Sequence, residues 1–184
     1  NNLGNMELSD FTVSMDGMNL KYKKWKVNES LSKKKGYYGI VETDKGVELC
    51  FGKYDYGRHT FTLNYKLSNF IFNVEDAQVI YFNFIDRLSD VNFDDFSLTI
   101  SSYYEFPDTL DVWGYGYKGY AYVENGLIKM SNEDDMDDKY VVLLAKFPLN
   151  TFNTTNSYSK FDTFNDVYEL AEEKIQELVN ITDL

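Results

Sequence analysis

The stretch FTVSMDGMNLKY, residues 11–22, alternates apolar and polar side chains on both sides of Asp16-Gly17. A period of two marks a half-buried strand, and a two-residue Asp-Gly turn favours a type I′ hairpin because both residues accept positive φ. The turn sets Met15 opposite Met18, Val13 opposite Leu20 and Phe11 opposite Tyr22. Those six residues form one apolar face. Thr12, Ser14, Asn19 and Lys21 form the other.

The same period recurs outward to about residue 147. GVELCFG at 46–52 follows a short strand near 38–42, and RHTFTLNYKL at 58–67 aligns Phe61, Leu63, Tyr65 and Leu67 on one face. QVIYFNFI at 78–85 and YVVLLAKF at 140–147 are apolar on both faces, as central strands are. With FSLTIS at 96–101 the count reaches about ten short strands separated by turn signals. The reading is mainly β: an antiparallel β-sandwich with one C-terminal α-helix.

After residue 150 the pattern changes. Residues 151–162 are polar and read as a connecting segment. Residues 163–182 place apolar side chains at helical spacing, with Thr163 as N-cap and Asp166 in the capping-box position. The expected organisation is a β-sandwich over 1–150, a connector over 151–162 and an amphipathic helix over 163–182. The helix either docks on the sandwich or leads toward a membrane anchor.

DVWGYGYKGYAYVENG, residues 111–126, packs Trp113 and four tyrosines among four glycines. Asn125-Gly126 is a second type I′ signal, pairing Val123 with Ile128, Tyr122 with Lys129 and Ala121 with Met130. A preceding even-length turn, either Lys118-Gly119 or the four residues Gly116 to Gly119, sorts Gly114, Ala121, Val123, Ile128 and Met130 onto a core face. Trp113, Tyr115, Tyr120 and Tyr122 then share the opposite face, looking outward or toward a neighbouring element. That face is the candidate binding surface. Stacked tyrosines also serve ordinary sheet packing, which is the favoured account of them.

Bulk composition excludes more than it nominates. The net charge of −12 argues against nucleic acid, and against direct docking on anionic lipid. The basic cluster at 21–27 and 32–36 reads as a solvated strand and loop. Cys50 is the single cysteine, so no internal disulfide forms, and a role as nucleophile would need His59, the single histidine, as its base. The acidic run at 132–140 lacks the glycine and closing glutamate of an EF-hand loop and reads as a solvated hairpin, with a weak surface Ca²⁺ site as the alternative. The run at 90–96 reads the same way. No metal ligand set, cofactor motif or nucleophile elbow is present, so no cofactor is expected. Three sequons, at Asn28, Asn153 and Asn180, matter only in a glycosylating source.

Several segments together resemble a bacterial family of predicted membrane proteins, family 2207, whose N-terminal domain has no assigned function. They are Gly57, His59, Thr60 and Tyr65 in the 46–71 segment, Tyr81-Phe82-Asn83 where the family carries Tyr-Trp-Asn, the Trp-Gly-Tyr-Gly stretch from 113, VVLLAKFP at 141–148, and the acidic helix from 163. The resemblance spans roughly residues 20–175. It implies an extracytoplasmic β-domain preceded by a signal sequence and tethered by transmembrane helices outside these residues. The absent initiating Met agrees with an excised segment. No catalytic residue carries over. The expected function is a non-catalytic interaction or assembly module at the bacterial cell surface, with an unknown protein or cell-surface glycan as partner. The alternatives are a carbohydrate- or cell-wall-binding module using Trp113 and its tyrosines and, third, a hydrolase with an unidentified carboxylate pair.

Overall fold

A computed structural model describes residues 6–43, 46–85, 94–136 and 140–182. The chain is mainly β, with several largely antiparallel sheets and one long C-terminal helix. It divides into two compact units, Asn1–Phe70 and Ile71–Leu184.

The first unit contains β1 (Leu8–Met15), β2 (Met18–Asn19), β3 (Lys21–Tyr22), α1 (Leu31–Lys34), β4 (Tyr37–Thr43), β5 (Gly46–Phe51) and β6 (Phe61–Leu67). The hairpin forms as the turn chemistry requires: Asp16 and Gly17 have φ of 50° and 80°, and Met15 faces Met18. Leu20 still donates to the Val13 carbonyl at 2.9 Å. The chain then leaves the hairpin, and β3 pairs in parallel with β4, Tyr22 opposite Tyr38. Met18 and Tyr22 are therefore exposed, and the six-residue apolar face shrinks to Phe11, Val13, Met15 and Leu20. These four pack against Tyr38, Ile40, Leu49 and Phe51 of the β3-β4-β5 sheet. Two three-stranded sheets thus bury one core between them. At the edge of the β2-β1-β6 sheet, β6 leaves Leu63 and Tyr65 exposed, so the buried face expected there is only half realised.

The second unit contains β7 (Phe72–Asn73), β8 (Gln78–Ile85), β9 (Ser97–Ile100), β10 (Asp111–Tyr115), β11 (Gly119–Glu124), β12 (Leu127–Asn132), β13 (Val141–Phe147) and α2 (Phe164–Thr182). One sheet runs β10-β13-β8-β7 and the other β11-β12-β9. The runs that are apolar on both faces, β8 and β13, sit side by side in the interior of the four-stranded sheet, as that composition requires. Val79, Leu144 and Tyr115 on one of its faces pack under Phe164, Val167 and Ala171 of α2. Its other face meets the second sheet where Gly114 approaches the Met130 methyl, and Phe106, from the segment before β10, packs on Phe147 with ring centroids 5.7 Å apart. The order of layers is helix, four-stranded sheet, three-stranded sheet.

The polar segment 151–162 is part of this packing. The Gln78 side chain, 2% exposed, donates to the Phe152 carbonyl at 2.9 Å and accepts from the Phe152 amide at 2.7 Å. Asn73 donates to the Thr154 carbonyl at 2.8 Å. Residues 151–162 lie within the second unit, tied to it by these amide hydrogen bonds.

Candidate functional site

The candidate face begins with β11 and β12. Asn125 and Gly126 have φ of 53° and 74°, and the ladder sets Val123 opposite Ile128, Tyr122 opposite Lys129 and Ala121 opposite Met130, as the turn predicts. Ile128 and Met130 are buried, while Tyr120 and Tyr122 stand 55% and 42% exposed. Tyr120 donates to Glu133, and Lys118 pairs with Asp134 at 2.8 Å. Those contacts hold the outer face of this sheet in place.

Trp113 and Tyr115 lie elsewhere. β10 does not turn back onto β11; it pairs with β13, Trp113 opposite Leu144 and Tyr115 opposite Val142. The alternation survives, since Gly114 points inward, where the Tyr117 hydroxyl and the Met130 methyl leave no room for a side chain. The chain simply changes sheets between residues 115 and 119. Trp113 and Tyr115 face outward on the four-stranded sheet, and α2 covers them. Trp113 lies 5.5 Å from the rings of both Phe164 and Tyr168. The four candidate residues are therefore not brought onto one surface. Tyr120 and Tyr122 are open, and Trp113 and Tyr115 are packing.

Under α2 the phenols form a polar layer. Tyr115 donates to Glu172 Oε1 at 3.1 Å, and the charge of the same carboxylate pushes the Tyr168 hydroxyl up. Burial, then the Glu172 contact, pushes the Tyr115 hydroxyl well above the usual phenol range. Burial alone pushes Tyr117 up to about 12. Phenols held neutral in this way act as hydrogen-bond donors. Sequence reasoning missed Tyr168 and Glu172; the only local signal was the helical period of α2.

The helix N-terminus is built from two sources. Asp166 accepts from the amides of Thr163 and Asp162 at 2.7 and 2.9 Å, which is the carboxylate half of the expected capping box. Asp76, in the β7–β8 turn, accepts from the Phe164 amide at 2.7 Å. The Thr163 amide is the first cause holding Asp166 below the usual carboxylate range. A carboxyl whose folded pKa is lowered stabilises fully above its unfolded pKa, and that contribution fades as pH falls through the folded value. Asp16 behaves alike, held down first by the Thr60 amide and then by His59. Urea midpoints should therefore hold above about pH 5 and fall below about pH 4. Asp166→Asn should lower the plateau and flatten the fall; an unchanged slope would remove the assignment.

His59 and Cys50 have separate partners. His59 Nδ1 bonds Asp16 Oδ2 at 2.8 Å and Nε2 bonds the Asp55 carbonyl at 3.1 Å, so the ring braces the β1–β2 turn. Cys50 sits opposite Gly39, and burial raises its thiol pKa, the reverse of nucleophile activation. Asp16, Glu29 and Asp166 are all pulled down by hydrogen bonds to amides or lysine. A general acid needs the opposite shift.

In the acidic stretch, Asp134 is paired to Lys118 and Met136 is buried. Residues 137–139 of that run, and 90–93 of the other, lie outside the described residues. Among the described residues no group of three His, Cys, Asp or Glu converges to hold a metal. No helix among them is long and apolar enough to cross a membrane.

Fold and site define a β-rich domain with one helix-covered sheet and one open, tyrosine-bearing sheet. Residues 7–147 match the family described as the N-terminal domain of a predicted membrane protein, DUF2207, and the chain belongs to that family. The match stops at the end of β13, so α2 lies beyond it. No curated protein and no solved structure matches the chain significantly.

Proposed function

We propose that this chain is a non-catalytic interaction or assembly module, held at the extracytoplasmic face of a bacterial membrane by segments outside these residues. Membership in a family of predicted membrane proteins supports the tether. The observation that carries the interaction reading is the open face of β11 and β12, where Tyr120 and Tyr122 remain exposed on a rigid ladder. Tyrosines fixed on a sheet offer contact area with little rotamer entropy to lose, which suits a protein partner. A glycan remains the second ligand class for the same pair, without Trp113.

The test is a photo-crosslinking amino acid at position 122 of the full-length protein in cells, with the same group at 168 as a control under the helix. An adduct of defined mass from 122 and none from 168 is expected. The absence of an adduct from 122 would sink the interaction reading. External protease should also degrade the domain on intact cells; full protection would place it on the other side.

A further inference from the structure

The two units differ in charge. Residues 1–70 hold 11 Lys and Arg against 8 Asp and Glu, a net of +3; residues 71–184 hold 7 against 22, a net of −15. Seven of the lysines fall within 21–37, with Glu29 as the one acid there. The whole-chain charge therefore conceals a basic lobe.

Two of its lysines build the lobe. Lys23 pairs with Glu29, donates to the Lys33 carbonyl at 2.8 Å and lies 4.9 Å from the Tyr37 ring. Lys34 donates to the Val27 carbonyl at 2.6 Å and lies 5.3 Å from the Trp25 ring. With those two turned inward, Lys24, Lys26 and Lys33 are left exposed and, among the described residues, without an ion pair. Beside them stand two aliphatic side chains with no packing role, Val27 at 64% and Leu31 at 75% exposure.

We infer that the 21–37 lobe is a docking surface for the anionic headgroup layer of a lipid bilayer. Both halves of the chemistry point there. Lysines near an anionic leaflet are attracted by its surface potential, and short aliphatic tips among them enter the headgroup boundary. Nucleic acid fits less well, because the lobe has no arginine and its two most exposed apolar tips, Val27 and Leu31, are aliphatic, although the rings of Tyr22 and Tyr37 also reach solvent. An acidic protein would satisfy the lysines and leave Val27 and Leu31 wet. The surface lies on the first unit, away from Tyr120 and Tyr122 in sequence, and its test is independent of theirs.

The experiment is co-sedimentation of the 184-residue chain with vesicles of phosphatidylglycerol and phosphatidylcholine, and with phosphatidylcholine alone. At about 0.1 M salt the Debye length is roughly 10 Å, which limits repulsion from distant acids. Retention on the anionic vesicles alone is expected, falling steeply at higher salt. The triple variant Lys24→Glu, Lys26→Glu, Lys33→Glu should weaken it at least about a hundredfold, given about fivefold per lysine lost and added repulsion from each glutamate. It leaves Lys23 and Lys34 in place, and circular dichroism checks that the fold persists. Val27→Ser with Leu31→Ser should weaken binding with the charge unchanged. No retention on anionic vesicles, equal retention on neutral ones, or full binding by the folded triple variant overturns the inference. So does equal affinity for soluble poly-glutamate, since the lobe would then read acidic protein.

Discussion

Replacing Val167 with Asp is expected to strip α2 from the four-stranded sheet. Val167 is fully buried between Phe164 and Ala171, in the layer that also holds Val79 and Leu144. Lys146 and Lys174 lie over the Phe164 and Tyr81 rings, at 4.7 and 5.6 Å, and a carboxylate buried at 167 without a close cation costs several kcal/mol. Loss of the packed methyls adds to that, so the unit should lose at least about 4 kcal/mol. Two observations would register it: an earlier urea transition, and limited proteolysis that cuts within α2 while the strands survive. Glu173→Ala, on the exposed side of the same helix, supplies the control. A helix that merely projects as a stalk would tolerate Asp on any face. Equal stability of the two variants would therefore overturn the docking of α2.

The contrast between β11–β12 and β10 shows what was legible in the sequence and what was not. A two-residue turn fixes its own register, because Asn125 and Gly126 must both take positive φ and the flanking residues then pair one by one. Nothing distant enters, and the reading from sequence holds for every pair. Side-chain parity also survives along β10, since alternation is a property of a single strand. Which sheet β10 joins is a different matter. Its partner β13 lies some thirty residues away, Val112 opposite Ala145, and no turn chemistry specifies that pairing. The choice depends on burying two-sided apolar strands at the centre of a sheet and covering Trp113 with α2. Those are tertiary terms, and local pattern does not contain them.

The helix repeats the lesson at its N-terminus. Asp166 was visible because a capping box is local. Asp76 was not, because its bond to the Phe164 amide joins residues 88 apart. The basic cluster at 21–27 and 32–36 was visible as a run of lysines, but its weight was not. Net charge averages over the chain, and only the division into two units separates +3 from −15.

Trp113→Ala is expected to behave as a core truncation, in contrast to Tyr120→Ala and Tyr122→Ala. The indole lies between the sheet and α2, against Phe164 and Tyr168, and Phe164 is itself buried. Removing it opens a cavity beneath the first turns of the helix, and large aromatic truncations in packed layers cost roughly 3–5 kcal/mol. Because Trp113 is only partly buried, about 3 kcal/mol is the expected loss, read as a lower urea midpoint. The open tyrosines should leave that midpoint nearly unmoved, since their rings face solvent. The comparison separates two roles that the sequence placed on one surface. A ligand-binding Trp113 would lower affinity and spare stability; a packing Trp113 lowers stability first. Reduced partner crosslinking in Trp113→Ala would carry weight only at conditions where the variant is still folded. In Tyr122→Ala, by contrast, any loss of binding reports directly on the open face. If Trp113→Ala unfolds no earlier than the wild type, the helix-covered layer is not the cohesive element that its geometry describes, and the indole regains its claim as a contact residue.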